Sequence, residues 1–293
     1  MRKALGMEST LKILELLKKI AEALDRSNPK KSTETQNLSE SCTYVWGPDE
    51  FKLKPVFNNN SVNIQLLVGI DFARNTLLEN TRRFNLGFSA NNALLWGARG
   101  MGKSSLIKAV HGQVNTEHEK KLILVEIYRE DITSLPKLLE IVSLYKENFI
   151  IFCDDLSFDA EDSTYKSLKA ILEGGVESKP INVIFYATSN RRHMIARNME
   201  ENDQKKEIYP FETLEEKISL SDRFGIWLGF HSCNQEDYLH MINGYTKYFN
   251  LYGEKKDIHK LALEWAKTRG SRSGRVAWQF IQDLAGKQNK KLI

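Results

Sequence analysis

Residues Gly97-Ala98-Arg99-Gly100-Met101-Gly102-Lys103-Ser104 follow the spacing GxxxxGK[ST], and Ser105 follows them directly. Glycines at these positions let the backbone curl so that its N–H groups point inward, as wrapping a chain of phosphate oxygens requires. Lys103 supplies a cation for the β- and γ-phosphates, and the Ser104 hydroxyl is a ligand for Mg²⁺. The pattern has weight only between a strand and a helix. An apolar run at 93–96 precedes it and helical spacing over 103–110 follows it. The chain is therefore expected to bind ATP with Mg²⁺ through Gly97, Ala98, Arg99, Gly100, Met101, Gly102, Lys103, Ser104 and Ser105; the alternative is an ordinary glycine-rich turn.

Asp154 and Asp155 come straight after the apolar run 149–153. An acid leaving a buried strand at the C-terminal edge of a parallel sheet lies beside a phosphate loop at the same edge. Asp154 suits a Mg²⁺ ligand acting through water, and Asp155 suits a group that orients or deprotonates the attacking water. The alternative is that the pair only caps the next helix with Ser157 and Asp159.

These groups need a scaffold. Continuous apolar runs at 122–128, 149–153, 182–187 and 226–230 read as strands, and the segments 135–145, 164–172 and 213–219 read as helices. Pro136 is tolerated in a first helical turn. Strands of this kind alternating with helices predict an α/β fold with a parallel sheet covered on both faces. Beyond residue 233 only helical patterns remain, at 234–249, 256–268 and 274–286, which predicts a small all-α lid. At the other end, Leu14, Leu17, Ile20, Ala21 and Leu24 have helical spacing over 8–25. Residues 26–42 are polar and aperiodic, as in a linker or disordered stretch, and order is expected to resume around Trp46, Phe51 and Phe57. The division expected is 1–60 as an N-terminal helix and linker, 61–231 as the nucleotide-binding domain and 232–293 as the lid.

Composition narrows the classes. A net charge of +4 over 293 residues does not by itself imply nucleic-acid binding. Cys42, Cys153 and Cys233 are far apart, which fits a reduced, cytoplasmic setting. No segment approaches the roughly 20 apolar residues of a membrane span, and the charged residues after Met1-Arg2-Lys3 leave no signal-peptide pattern.

With these motifs assembled, the chain resembles AAA+ ATPases, a P-loop NTPase class, and within them the bacterial DUF815-type predicted ATPases. The resemblance rests on Asn91-Asn92-Ala93-Leu94-Leu95-Trp96-Gly97-Ala98-Arg99-Gly100, Phe152-Cys153-Asp154-Asp155-Leu156-Ser157-Phe158, Ala187-Thr188-Ser189-Asn190-Arg191-Arg192-His193, Ser221-Asp222-Arg223-Phe224-Gly225 and Arg272-Ser273-Gly274-Arg275-Val276-Ala277. It spans about 61–287. It implies that Leu67-Val68-Gly69-Ile70 packs on adenine, so that Leu67, Gly69 and Ile70 join the cofactor-binding set. It implies that Asn190 is sensor 1, that Arg223 is an arginine finger completing a neighbouring subunit's site, and that Arg275 is sensor 2. Many members place Glu where this chain has Asp155, one methylene shorter, which bears on the rate of hydrolysis. Taken alone, an Asn after a strand is a turn residue, Arg223 a surface ion-pair partner, and Arg269, Arg272 and Arg275 a solvated face. Arg191-Arg192-His193 receives no role.

The leading expectation is a homo-oligomeric ATPase that couples ATP hydrolysis to remodelling of an unidentified macromolecule. A nucleotide-gated loader or scaffold with little hydrolysis, with DNA as one candidate partner, is the second reading, and a P-loop kinase the third.

Overall fold

The computed structural model describes residues 36–57, 62–157, 168–169, 171–172, 179–190 and 222–292. In chain order the elements are β1 (Thr43–Gly47), β2 (Lys52–Pro55), α1 (Asp71–Asn85), β3 (Ala93–Gly97), α2 (Lys103–Glu117), β4 (Leu122–Glu126), α3 (Leu135–Val142), β5 (Asn148–Cys153), β6 (Val183–Ser189), β7 (Ile226–Phe230), α4 (Gln235–Tyr248), α5 (Lys255–Thr268) and α6 (Gly274–Lys287). Short 3₁₀ turns occupy Ile64–Leu66 and Arg129–Ser134.

Among the described residues seven strands form one sheet in the order β2-β1-β4-β5-β6-β3-β7. Every pairing is parallel except that of β1 with β2. Side chains alternate across a strand, so each apolar run feeds two cores. Leu95, Leu124, Phe152, Ile184 and Tyr186 face one core with α1, α2 and the C-terminal helices. Leu94, Ile123, Val125, Ile151 and Phe185 face the other with α3. Burial on both faces is why β5 and β6 carry no exposed position. A polar cluster is built into the first core: Tyr186 Oη accepts from Asn80 Nδ2 at 3.0 Å and lies 2.8 Å from Thr81 Oγ1.

The hairpin β1–β2 corrects the expected division. Residues 43–55 pair into the sheet through β4, with Thr43 opposite Leu124 and Val45 opposite Glu126. Trp46 is buried and donates through Nε1 to Ser134 Oγ at 2.7 Å. The order extends back to Leu38, which is buried, and Leu124 N donates to Cys42 O at 2.9 Å. Lys52, Lys54 and Pro55 give the edge strand β2 the charges and imino acid that discourage further pairing. Leu38–Ile293 makes one contact unit. The expected helix at 8–25 lies outside the described residues, as do 213–219 and most of 164–172.

Smaller differences concern ends. The chain leaves the sheet after Glu126 and enters the 3₁₀ turn, so β4 is shorter than 122–128. The helix expected at 135–145 stops at Val142, and α2 runs on to Glu117. β6 continues to Ser189, two residues past the apolar run, because its ladder with β3 extends from Tyr186 to Ser189. The C-terminal helices α4, α5 and α6 match the expected 234–249, 256–268 and 274–286 to within a residue or so at each end. Asn234 and Asp237 form a reciprocal cap at the start of α4, and Ser273 caps α6.

Candidate nucleotide site

The strand order decides which residues meet. β6 lies between β3 and β5, so the loop after β3, the acids after β5 and the polar end of β6 share one C-terminal edge. Gly97 begins the loop at φ 122°, and a Cβ there would sit 2.1 Å from Phe230 O. The same carbonyl accepts from Ala98 N at 2.7 Å, which holds the loop's base against β7. Gly100 has φ 73°, and a Cβ there would meet Ser273 Oγ at 3.1 Å and Arg275 Cβ at 3.2 Å. Its carbonyl accepts from Arg275 N at 3.0 Å, so the start of α6 is fastened to the loop. Gly102 is the N-cap of α2 and gives no side-chain bond, leaving the first amides of that helix to the loop's interior.

Lys103 is buried, and its Nζ donates to Gly97 O (2.8 Å), Ala98 O (2.9 Å) and Asn190 Oδ1 (3.1 Å). Burial lowers its pKa, Asp155 and Asp154 oppose that effect, and Arg99 and Arg275 add to it. Asn190 Nδ2 donates to Asp155 Oδ1 at 2.5 Å, so one amide joins the lysine to the second acid. Ser104 Oγ donates to Asp154 Oδ1, also at 2.5 Å. Thr188, to which the sequence patterns assign no role, donates to Asp154 Oδ1 at 2.5 Å and accepts from Asp155 N at 2.9 Å.

These groups border a cavity of about 610 Å³. Arg99, Gly100, Met101, Gly102, Lys103, Ser104 and Ser105 line it on the loop side, with Asp154, Asp155, Asn190 and Arg275 around them. Leu67, Val68 and Ile70 line the apolar end, while Gly69 turns at φ 82° against Met241. Val62, Leu66, Met241, Tyr245 and Trp278 complete that end and were not anticipated; Tyr245 and Trp278 meet edge to face with ring centres 5.5 Å apart. Gly97 and Ala98 do not line the cavity but hold Lys103 from below. Arg223 is exposed in the turn before β7 and does not line it either. Arg269 stacks on Trp265, with Cζ 4.7 Å from the ring centre, and does not line the cavity. Arg191, Arg192 and His193 lie outside the described residues.

The oxygen donors Ser104 Oγ and Asp154 suit Mg²⁺, which takes one or two protein oxygens and completes its shell with phosphates and water. Among the described residues no donor reaches Asp154 Oδ2, which leaves that oxygen for the ion or its waters.

The family model described as "Protein of unknown function (DUF815)" matches residues 39–288. The resemblance thus begins before residue 61 and takes in the hairpin. No curated protein sequence matches the chain. Among solved structures, the Aeropyrum pernix Orc1 protein in complex with DNA is similar at 14% identity and TM-score 0.52, over 78% of this chain and 65% of that one. A point mutant of Thermotoga maritima RuvB is similar at 12% identity and TM-score 0.50, over 78% of this chain and 67% of that one. The chain spans about two thirds of the length of these neighbours, and at such identities the likeness concerns the fold. On the family match and the sheet, loop and helix arrangement together, the chain belongs to the DUF815 family and has the fold of P-loop AAA+ ATPases.

Proposed function

We propose that this protein is an ATPase that binds Mg²⁺-ATP in the cavity above β3 and converts hydrolysis into movement of α4–α6 and of neighbouring subunits. The observation that carries the reading is the convergence of Lys103, Ser104, Asp154, Asp155, Asn190 and Arg275 on one cavity with an apolar far end. The loop amides and Lys103 take the phosphates, and the apolar end takes the base. Asp155, steered by Asn190, holds the attacking water and receives its proton. Arg275 faces the γ-phosphate from α6. Arg223, exposed and outside its own chain's cavity, serves the site of a neighbouring copy in a homo-oligomer. In this reading residues 232–293 act as the lid and the substrate is a macromolecule.

A second reading, a nucleotide-gated loader that turns over slowly, is favoured by one observation. Asp155 is shorter than glutamate and one of its oxygens is already held by Asn190. The Orc1 neighbour was solved with DNA, which makes DNA the first macromolecule to add in an activity assay.

Fluorescent-nucleotide titration and phosphate release test the proposal. Lys103→Ala removes charge-assisted bonds worth about 1.5–3 kcal/mol each, so affinity should fall by about 100-fold or more. Asp155→Asn should bind ATP with near-native affinity and release no phosphate, because only the carboxylate acts on water in the transition state. Native affinity in Lys103→Ala, or native turnover in Asp155→Asn, would remove the assignment.

A further inference from the structure

Thr188 touches both acids. It stands near the end of β6, 1% exposed, in the strand that pairs with β5 through Cys153 and Ala187. That register sets Thr188 beside Asp154. Its hydroxyl donates to Asp154 Oδ1 and accepts from Asp155 N, and its carbonyl accepts from Leu156 N at 2.7 Å. Three consecutive residues after β5 are tied to this one residue.

The tying has something to hold. Asp155 has φ 51°, in the left-handed region. A residue with a Cβ costs about 1–2 kcal/mol there and stays only where its surroundings fix it. Asp154 Oδ1 takes hydroxyl hydrogens from Ser104 and Thr188 at 2.5 Å each, with Asp155 N at 3.2 Å. Any buried threonine hydroxyl must find partners. This one finds them on the proposed metal ligand and on the proposed base, and nowhere else among the described residues.

We propose that Thr188 is a positioning residue for this site: its hydroxyl fixes which Asp154 oxygen is left for Mg²⁺ and locks the Asp155 backbone so that its carboxylate meets Asn190 and the water. The inference rests on the ATPase reading above. Thr188 acts through the two acids and is not itself catalytic.

Thr188→Val keeps the shape and removes both hydroxyl bonds, and Thr188→Ser keeps the hydroxyl. Affinity for a fluorescent ATP analogue is measured in EDTA and during Mg²⁺ titration, and kcat and KM are measured alongside. In EDTA the valine variant should match the native protein. The Mg²⁺ concentration for half-maximal effect should rise and kcat should fall, each by about 10–100-fold, as for other residues that orient metal ligands, with KM little changed. Serine should restore both. A native Mg²⁺ response and kcat in the valine variant would overturn the inference, and so would a serine variant as impaired as valine. If thermal melting shows that the valine variant does not fold, Thr188→Ala against Thr188→Ser makes the same comparison. A native protein that neither binds nor hydrolyses ATP removes the ATPase reading and this inference with it, whereas an active native protein with an unimpaired valine variant removes only the inference.

Discussion

His111 should make the folded state sensitive to mild acid. It is buried on α2, eight residues after Lys103, with Nε2 2.9 Å from Leu122 O. Among the described residues Nδ1 meets no partner within hydrogen-bond geometry. Burial disfavours the charged ring and lowers its pKa from 6.5 to about 4, with the nearby Leu122 and Cys42 backbones offsetting part of it. The folded value lies below the unfolded one, so the unfolded chain takes up the proton first. The stabilisation is complete above pH 6.5 and is lost as pH falls through the window from 6.5 to about 4. Between about pH 7.5 and about pH 5 the loss works out at about 2 kcal/mol, and over the whole window at about 3 kcal/mol. Urea unfolding of the native protein and of His111→Gln at those two pH values measures it. Glutamine does not titrate, so the native protein should lose about 2 kcal/mol more than the variant over the interval. Glu117, held at about 2 first of all by its bond from Arg82, and His259, lowered by burial, are present in both and cancel. Equal losses in the two proteins would refute the reasoning.

Two further outcomes are expected. A chain lacking residues 1–35 should bind ATP as the full chain does, whereas one lacking 1–43 should lose about 2–3 kcal/mol and melt roughly 5–10 °C lower, because it sheds buried Leu38 and the Cys42 carbonyl that accepts from Leu124 N in β4; equal melting temperatures would contradict this. Arg223→Ala should bind ATP but hydrolyse it about 10³-fold more slowly, and mixing it with Asp155→Asn should recover activity at interfaces that pair an intact Arg223 with an intact Asp155; no recovery from subunits shown to co-assemble would count against action in trans.

The phosphate loop was legible because its chemistry is contiguous: eight successive residues, running from the end of an apolar run into the first turn of a helix, define it. Asp154 and Asp155 were legible because a buried parallel strand announces its own end. Thr188 was not, since threonine at a strand end is an ordinary strand former, and its role arises from the β5–β6 register, which joins residues 34 positions apart in sequence. The available signal was that Thr188 and Ser189 continue an apolar run just before Asn190. Met241, Tyr245 and Trp278 carry nothing that separates them from core residues of amphipathic helices, and only the packing of α4 and α6 brings them to the apolar end of the cavity. The hairpin is not legible in the sequence because β2 is charged, as an edge strand should be, and because β1 pairs with residues about 80 positions further on.

The backbone bond from Arg275 to Gly100 makes α6 a pointer pivoted on the phosphate loop. Its 14 residues carry the far end about 20 Å from the pivot, so a tilt of about 10° displaces that end by about 3.5 Å. Just beyond the tip, Gln288 exchanges two hydrogen bonds with the backbone of Tyr252, in the connection between α4 and α5. A shift too slight to break the bond at Gly100 would thereby be geared up to the size of a side-chain contact at the opposite end of the helix, and handed on to its neighbours.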